Sequence, residues 1–178
     1  MPVTNFRHKS VRIQGYDYSQ PGTYFITICT SQKKMLFGEV TQGIIHLSKL
    51  GEIARQELEQ VSSKFSRIHL DVFVVMPNHI HVLITISASD AAIQTANAEA
   101  FRHPVPGSIP TVVRAYKAAM TRRAAMRRDN PISEVWQRNY YEHVVRTERE
   151  KEQIYAYIVS NPVQWDSDDE NPAGHPLL

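Results

Sequence analysis

The chain has 178 residues, of which 42% are apolar, 21% charged and 9% aromatic; that is enough for one ordinary domain with its own core, and it excludes a disordered, collagen-like or coiled-coil chain. A single cysteine, Cys29, excludes a disulfide framework and a cysteine-rich zinc module and leads us to expect a reducing, cytoplasmic setting. The net charge of +2 hides an asymmetry: Arg102, Arg114, Lys117, Arg122, Arg123, Arg127 and Arg128 share a stretch without an acid, while removing the four acids of residues 166–178 would carry the charge from +2 to +6. A basic stripe on a balanced body fits either a polyanion partner or a solvated helix face.

Residues 1–20 are polar and read as an arm. Residues 24–30, rich in β-branched and aromatic side chains, read as a strand. Residues 35–40 and 43–47 read as a hairpin around Thr41 and Gln42, and 48–60 as a helix with Ser48 as N-cap. Residues 68–76 form a strand, Pro77-Asn78 a turn, and 79–86 the next strand. Residues 87–110 are rich in Ala, Ser and Pro and read as an insertion loop. The spacing of Val112, Val113, Tyr116, Ala119, Met120 and Ala124 predicts a helix over 111–128. Residues 133–146 are mixed. Thr147-Glu-Arg-Glu150 is a capping box opening a helix through Ser160, which Asn161-Pro162 ends. Residues 166–178 read as an acidic tail. The order predicts one α+β domain over 1–178, an antiparallel β-sheet flanked by helices. No apolar run reaches the ~18 residues of a membrane span. The first residues lack the apolar core of a signal peptide.

His79-Ile80-His81 is the sharpest local feature. On a strand these two imidazoles share one face with Leu83 and Thr85, while Ile80, Val82 and Ile84 point the other way. Two imidazoles so placed can ligate one metal ion, or they are simply surface histidines. Tyr157 and Asn161, four apart, stand one turn above each other on the late helix. The Asn161 amide oxygen could complete a metal site; the plainer alternative is a helix C-cap beside a core-edge tyrosine.

Three stretches carry a resemblance: Met76-Pro-Asn-His-Ile-His-Val-Leu83, Trp136-Gln-Arg-Asn-Tyr-Tyr-Glu-His143 and Tyr155-Ala-Tyr-Ile-Val-Ser-Asn-Pro162. As a set they are similar to the single-tyrosine HUH transposases, above all the REP-associated tyrosine transposases, over roughly residues 15–165. The resemblance implies a ferredoxin-like or palm-like HUH endonuclease fold. It implies an enzyme that nicks and joins single-stranded DNA at or beside a short hairpin, through a 5′-phosphotyrosine. Carried over by motif, Tyr157 is the nucleophile and His79, His81 and Asn161 are ligands to Mg²⁺ or Mn²⁺; imidazole would also tolerate Zn²⁺, Co²⁺ or Ni²⁺.

Tyr116 is a rival nucleophile on the basic helix. Arg114, Lys117, Arg122 and Arg123 are candidates for DNA phosphate contacts, and His143 for a phosphate contact or for packing between helix and sheet. Trp136 and Tyr140 are candidates for stacking on bases, or for the core. The expected partner is a single-stranded DNA hairpin, with no membrane, bound by a monomer or a homodimer. The acidic tail either masks the site or is a solvated end. Two other readings stay open: a domesticated relative that binds structured DNA or RNA without cutting, and a hydrolase that merely shares a histidine pair.

Overall fold

The computed structural model describes residues 13, 15–88, 105–126 and 134–172. Most of the arm (1–12 and 14), most of the insertion (89–104), the stretch 127–133 with Arg127 and Arg128, and 173–178 lie outside the described residues, as does Arg102. The elements run β1 (Gly22–Cys29), a hairpin of β2 (Gly38–Thr41) and β3 (Ile44–Leu47), α1 (Lys49–Glu59), a single turn α2 (Val61–Lys64), β4 (Ile68–Val75), β5 (His79–Ile86), α3 (Ile109–Ala125), β6 (Tyr141–Val145) and α4 (Glu148–Ser160). Four strands make one antiparallel sheet in the order β4-β5-β1-β6. This is the α+β architecture expected from the element order.

Strand alternation sorts the sheet into two faces. Tyr24, Ile26 and Ile28 of β1 and Ile80, Val82, Ile84 and Ile86 of β5 turn to one side. There they meet Ile53, Ala54 and Leu58 of α1 and Val112, Val113, Tyr116 and Met120 of α3. On the other side Phe25 and Leu83 meet Ile154 and Ile158 of α4 in a second, smaller core. The described part of the arm belongs to the larger core: Tyr18 is buried there and Tyr16 packs against it. Residues 15–20 are therefore not a free arm.

Local chemistry sets the element ends. Ser48 Oγ accepts from the Gly51 amide at 3.1 Å and caps α1 as predicted. The β2–β3 turn falls on Gln42 and Gly43, one residue later than expected, because both take positive φ (53° and 75°), the backbone a two-residue hairpin needs. Helix α3 starts at Ile109, earlier than the proline-rich stretch suggested; Pro110 lies in its first turn, where its missing N–H costs nothing. The mixed stretch 133–146 hides an edge strand, β6, whose alternation was blurred by Glu142 and His143. Trp136 is buried between Phe37 and Tyr116, with ring centroids 5.3 and 5.7 Å away, so it is a core residue and not a base-stacking platform. Among the described residues, no helix is long and apolar enough to cross a membrane.

Glycine is required at the start of α1. A Cβ on Gly51 would lie 2.0 Å from the Phe37 carbonyl oxygen, a backbone atom that cannot swing away. Gly51→Ala should therefore destabilise the protein by at least about 2 kcal/mol, through overpacking and despite the better helix propensity of alanine. Urea unfolding checks this; an unchanged midpoint would mean the helix is free to retreat from Phe37.

Candidate active site

On the α4 side of the sheet, β5 presents His79 and His81, both fully buried. Their ring centroids are 4.4 Å apart. Asn78, at the turn before β5, donates from Nδ2 to the carbonyls of Lys33 (3.3 Å) and Glu170 (2.7 Å), which fixes its amide. Its Oδ1 faces His79 Nδ1 at 2.9 Å. A carbonyl oxygen only accepts, so Nδ1 carries the proton and Nε2 presents its lone pair. His81 is held by Thr27, its register partner on β1, with Oγ1 2.8 Å from Nδ1.

Helix α4 brings the other two expected groups. Its capping box forms with one change: Thr147 Oγ1 accepts from the Glu150 amide at 3.1 Å, but the Glu150 carboxylate reaches the Arg146 amide (2.8 Å) and His143 Nε2 (2.7 Å). Ile154 and Ile158 seat the helix on the sheet, and Tyr157 beside them lays its ring edge-on to Phe25. The Tyr157 hydroxyl is 3.2 Å from His81 Nε2. Asn161 is fully buried one turn further on.

Asp168 was not foreseen as part of the site. After Asn161-Pro162 the chain turns back, Trp165 lies buried with its ring 6.0 Å from that of His79, and the segment 165–171 covers the histidines. Asp168 Oδ2 accepts from Asn161 Nδ2 at 2.6 Å and Oδ1 from the Glu170 amide at 2.7 Å. Ligand atoms of His79, His81 and Asp168 all lie within 4.8 Å of one another. Glu170 is buried too, with Lys33 Nζ at 3.0 Å and Cys29 Sγ at 3.5 Å. Residues 166–171 of the run read as an acidic tail thus belong to a folded strap. The available signal was Trp165, an apolar anchor with no reason to sit in a solvated end.

The donor set suits a divalent cation. Two imidazoles and a carboxylate match a borderline transition ion or Mn²⁺. Asn161 Oδ1 is buried without a hydrogen-bond partner among the described residues, a condition worth about 1–3 kcal/mol that a cation would relieve. The same charges act on the phenol. Burial, and then the carboxylates of Asp168, Asp169 and Glu170, push the Tyr157 hydroxyl well above the ordinary tyrosine value, with a hydrogen bond from Asn161 acting the other way. Positive charge at the cluster would offset that penalty.

The remaining candidates lie elsewhere. Tyr116 is on the opposite face, buried, donating to the Ala54 carbonyl at 3.1 Å, and cannot meet the histidines. Helix α3 as a whole packs on that opposite face. There Lys117 donates to the carbonyls of Gln137 and Asn139, and burial lowers its pKa to about 8. Arg123 binds Glu57 and Gln56, while Arg114 and Arg122 are exposed. His143 is on the site face but engaged with Glu150.

This arrangement of sheet and helices is the fold of the REP-associated tyrosine transposases. A solved structure of such a transposase bound to a REP hairpin superposes with a TM-score of 0.59 at 18% identity, covering 84% of this chain and 72% of that one. The chain itself belongs to one family with an uncharacterized protein of Haemophilus influenzae, 37% identical over 165 residues, which are 90% of this chain and 91% of the relative. No family model matches the chain.

Two outcomes test the site. Saturating Mn²⁺ should raise the unfolding temperature, by the equivalent of about 2.7 kcal/mol at one hundred times the dissociation constant; His79→Ala should erase the shift in a thermal melt. The Arg146 amide and His143 hold the Glu150 carboxyl below its usual range although burial opposes this. A depressed carboxyl contributes stability above its unfolded pKa of about 4.3. That contribution is lost as the pH falls through the folded value. Glu150→Gln should thus cost about 0.5–1 kcal/mol at pH 7, and the cost should shrink steadily as the pH is lowered below the ordinary carboxylate range, read by denaturant unfolding across a pH series.

Proposed function

We propose that this protein is a metal-dependent enzyme of the HUH tyrosine-transposase type, which cuts and rejoins single-stranded DNA at or beside a hairpin. The observation that carries the reading is the approach of Tyr157 to His81, 3.2 Å, inside a buried set of two imidazoles, a carboxylate and a carboxamide. Every one of these groups comes from one chain, so a single copy suffices for the chemistry. The hairpin partner is inferred from the solved transposase of the same fold, which was bound to one.

Tyr157 is the nucleophile. Its oxygen attacks a backbone phosphorus, the bond from phosphorus to the 3′ oxygen breaks, and a 5′-phosphotyrosine and a free 3′-hydroxyl result. The bond is exchanged, so joining is the reverse reaction and needs no nucleotide triphosphate. His79, His81 and Asp168, with Asn161, would hold Mn²⁺ or Mg²⁺, which when bound polarises the scissile phosphate. Asn78 keeps His79 in the protonation state that offers a lone pair to the cluster, Thr27 holds the ring of His81 by its Nδ1, and Phe25 fixes the approach of the phenol. The exposed Arg114 and Arg122 lie across the sheet from Tyr157, so they serve the DNA away from the cut, as contacts that weaken with salt. Lys117 and Arg123, committed within the protein, contribute less, and His143 positions α4 through Glu150.

One feature favours the alternative of a binder that does not cut: His79 and His81 are sealed beneath residues 165–171. Incubation with a single-stranded hairpin from the DNA flanking the gene, plus Mn²⁺, separates the two. A covalent protein–DNA species on a denaturing gel, lost in Tyr157→Phe while hairpin binding persists, is the expected result. Retarded hairpin without a covalent species, indifferent to EDTA, would establish the binder.

A further inference from the structure

We propose that Tyr157 and the divalent cation compete for one nitrogen, Nε2 of His81, so that loading the site detaches the tyrosine from the imidazole. The inference rests on the metal-dependent reading above and adds to it a coupling between cation and nucleophile. A ring nitrogen has a single in-plane lone-pair direction. On His81, Nδ1 is committed to Thr27 at 2.8 Å and so cannot turn to the cluster. Nε2 is the nitrogen that faces α4, and there it meets the Tyr157 hydroxyl at 3.2 Å.

Both proton arrangements lead to the same conflict. If Nδ1–H donates to Thr27, Nε2 accepts from the phenol and its lone pair is occupied. If Nε2–H donates to the phenol oxygen, Nε2 has no lone pair until the proton moves to Nδ1. In either case a cation at Nε2 ends the hydrogen bond to Tyr157. His79 carries no such conflict, because Asn78 fixes its Nδ1 as the donor.

The released hydroxyl has a neighbour to go to. Asn161 stands one helical turn along, close enough to act on the phenol, and its Nδ2 is now shared with Asp168. The metal-free protein therefore stores its nucleophile on a ligand atom. By linkage, each partner weakens the hold of the other on His81.

Calorimetric titration of the full-length protein with Mn²⁺, in wild type and Tyr157→Phe, tests this. The phenylalanine keeps the ring against Phe25 and removes only the competing hydroxyl. Tyr157→Phe should bind Mn²⁺ about three- to tenfold more tightly, the range set by one net hydrogen bond. Equal affinity within twofold would overturn the competition, and weaker binding would make the phenol oxygen a ligand instead. As a second readout, the Cζ resonance of ¹³C-labelled Tyr157 should move on saturation with diamagnetic Mg²⁺; an unmoved resonance with bound Mg²⁺ counts against the exchange. Absence of any cation binding in both proteins would overturn the metal-dependent reading itself, an outcome distinct from binding without a difference.

Discussion

Strand β5 is buried on both faces, and the rest of the molecule is arranged around that constraint. Its even-numbered residues, Ile80, Val82, Ile84 and Ile86, enter the larger core under α1 and α3. Its odd-numbered residues begin with two histidines and continue into the smaller core with Leu83. A strand paired with β4 on one side and β1 on the other cannot slip by one residue without exchanging its isoleucines for imidazoles. Burying an imidazole is costly unless its nitrogens have partners. Asn78 and Thr27 answer that need, and in doing so they fix which nitrogen points at α4.

Polar satisfaction then extends outward from the site. Asn78 can orient His79 only because its own amide hydrogens are held by Lys33 and Glu170. Glu170 is held in turn by Lys33, and Asp168 by Asn161 and the Glu170 amide. The strap 165–171 is thus stitched to the histidine face by hydrogen bonds, with Trp165 as its apolar anchor. The carboxylates of Asp168, Asp169 and Glu170 gather beside the histidines and Tyr157. That charge is the electrostatic reason why the cluster suits a cation.

Much of this was legible in the sequence, and the gaps have physical causes. The strand 79–86, the Ser48 cap and the α4 helix were readable because period-two alternation, an N-cap and a Pro stop are local signals. The meeting of Tyr157 with the histidines was reachable through the resemblance of three motifs, since local spacing alone favoured a C-cap and surface histidines. Strand β6 escaped because each of its faces carries a polar residue, Glu142 on one and His143 on the other, and an edge strand with polar residues lacks contrast. Asp168 escaped because a run of acids looks solvated unless its partners are known, and those partners, Asn161 and the Glu170 amide, are set by tertiary folding. The basic helix misled in the opposite way: two of its cations are engaged within the protein, Lys117 with the carbonyls of Gln137 and Asn139 and Arg123 with Glu57 and Gln56.

The two halves of the site differ in how they are mounted. The imidazoles sit on a central strand that hydrogen-bonded neighbours clamp from both sides, whereas the phenol and the carboxamide ride on one helix seated chiefly by Ile154 and Ile158. One half is an anvil and the other a hammer on a short handle. Sequence drift at those two isoleucines would tilt α4 without disturbing the ladder, and so would reset the distance of the phenol and the carboxamide from the imidazoles while leaving both imidazoles in place. In a lineage of such proteins, reactivity could be tuned or silenced from beneath the helix, with the signature residues still intact.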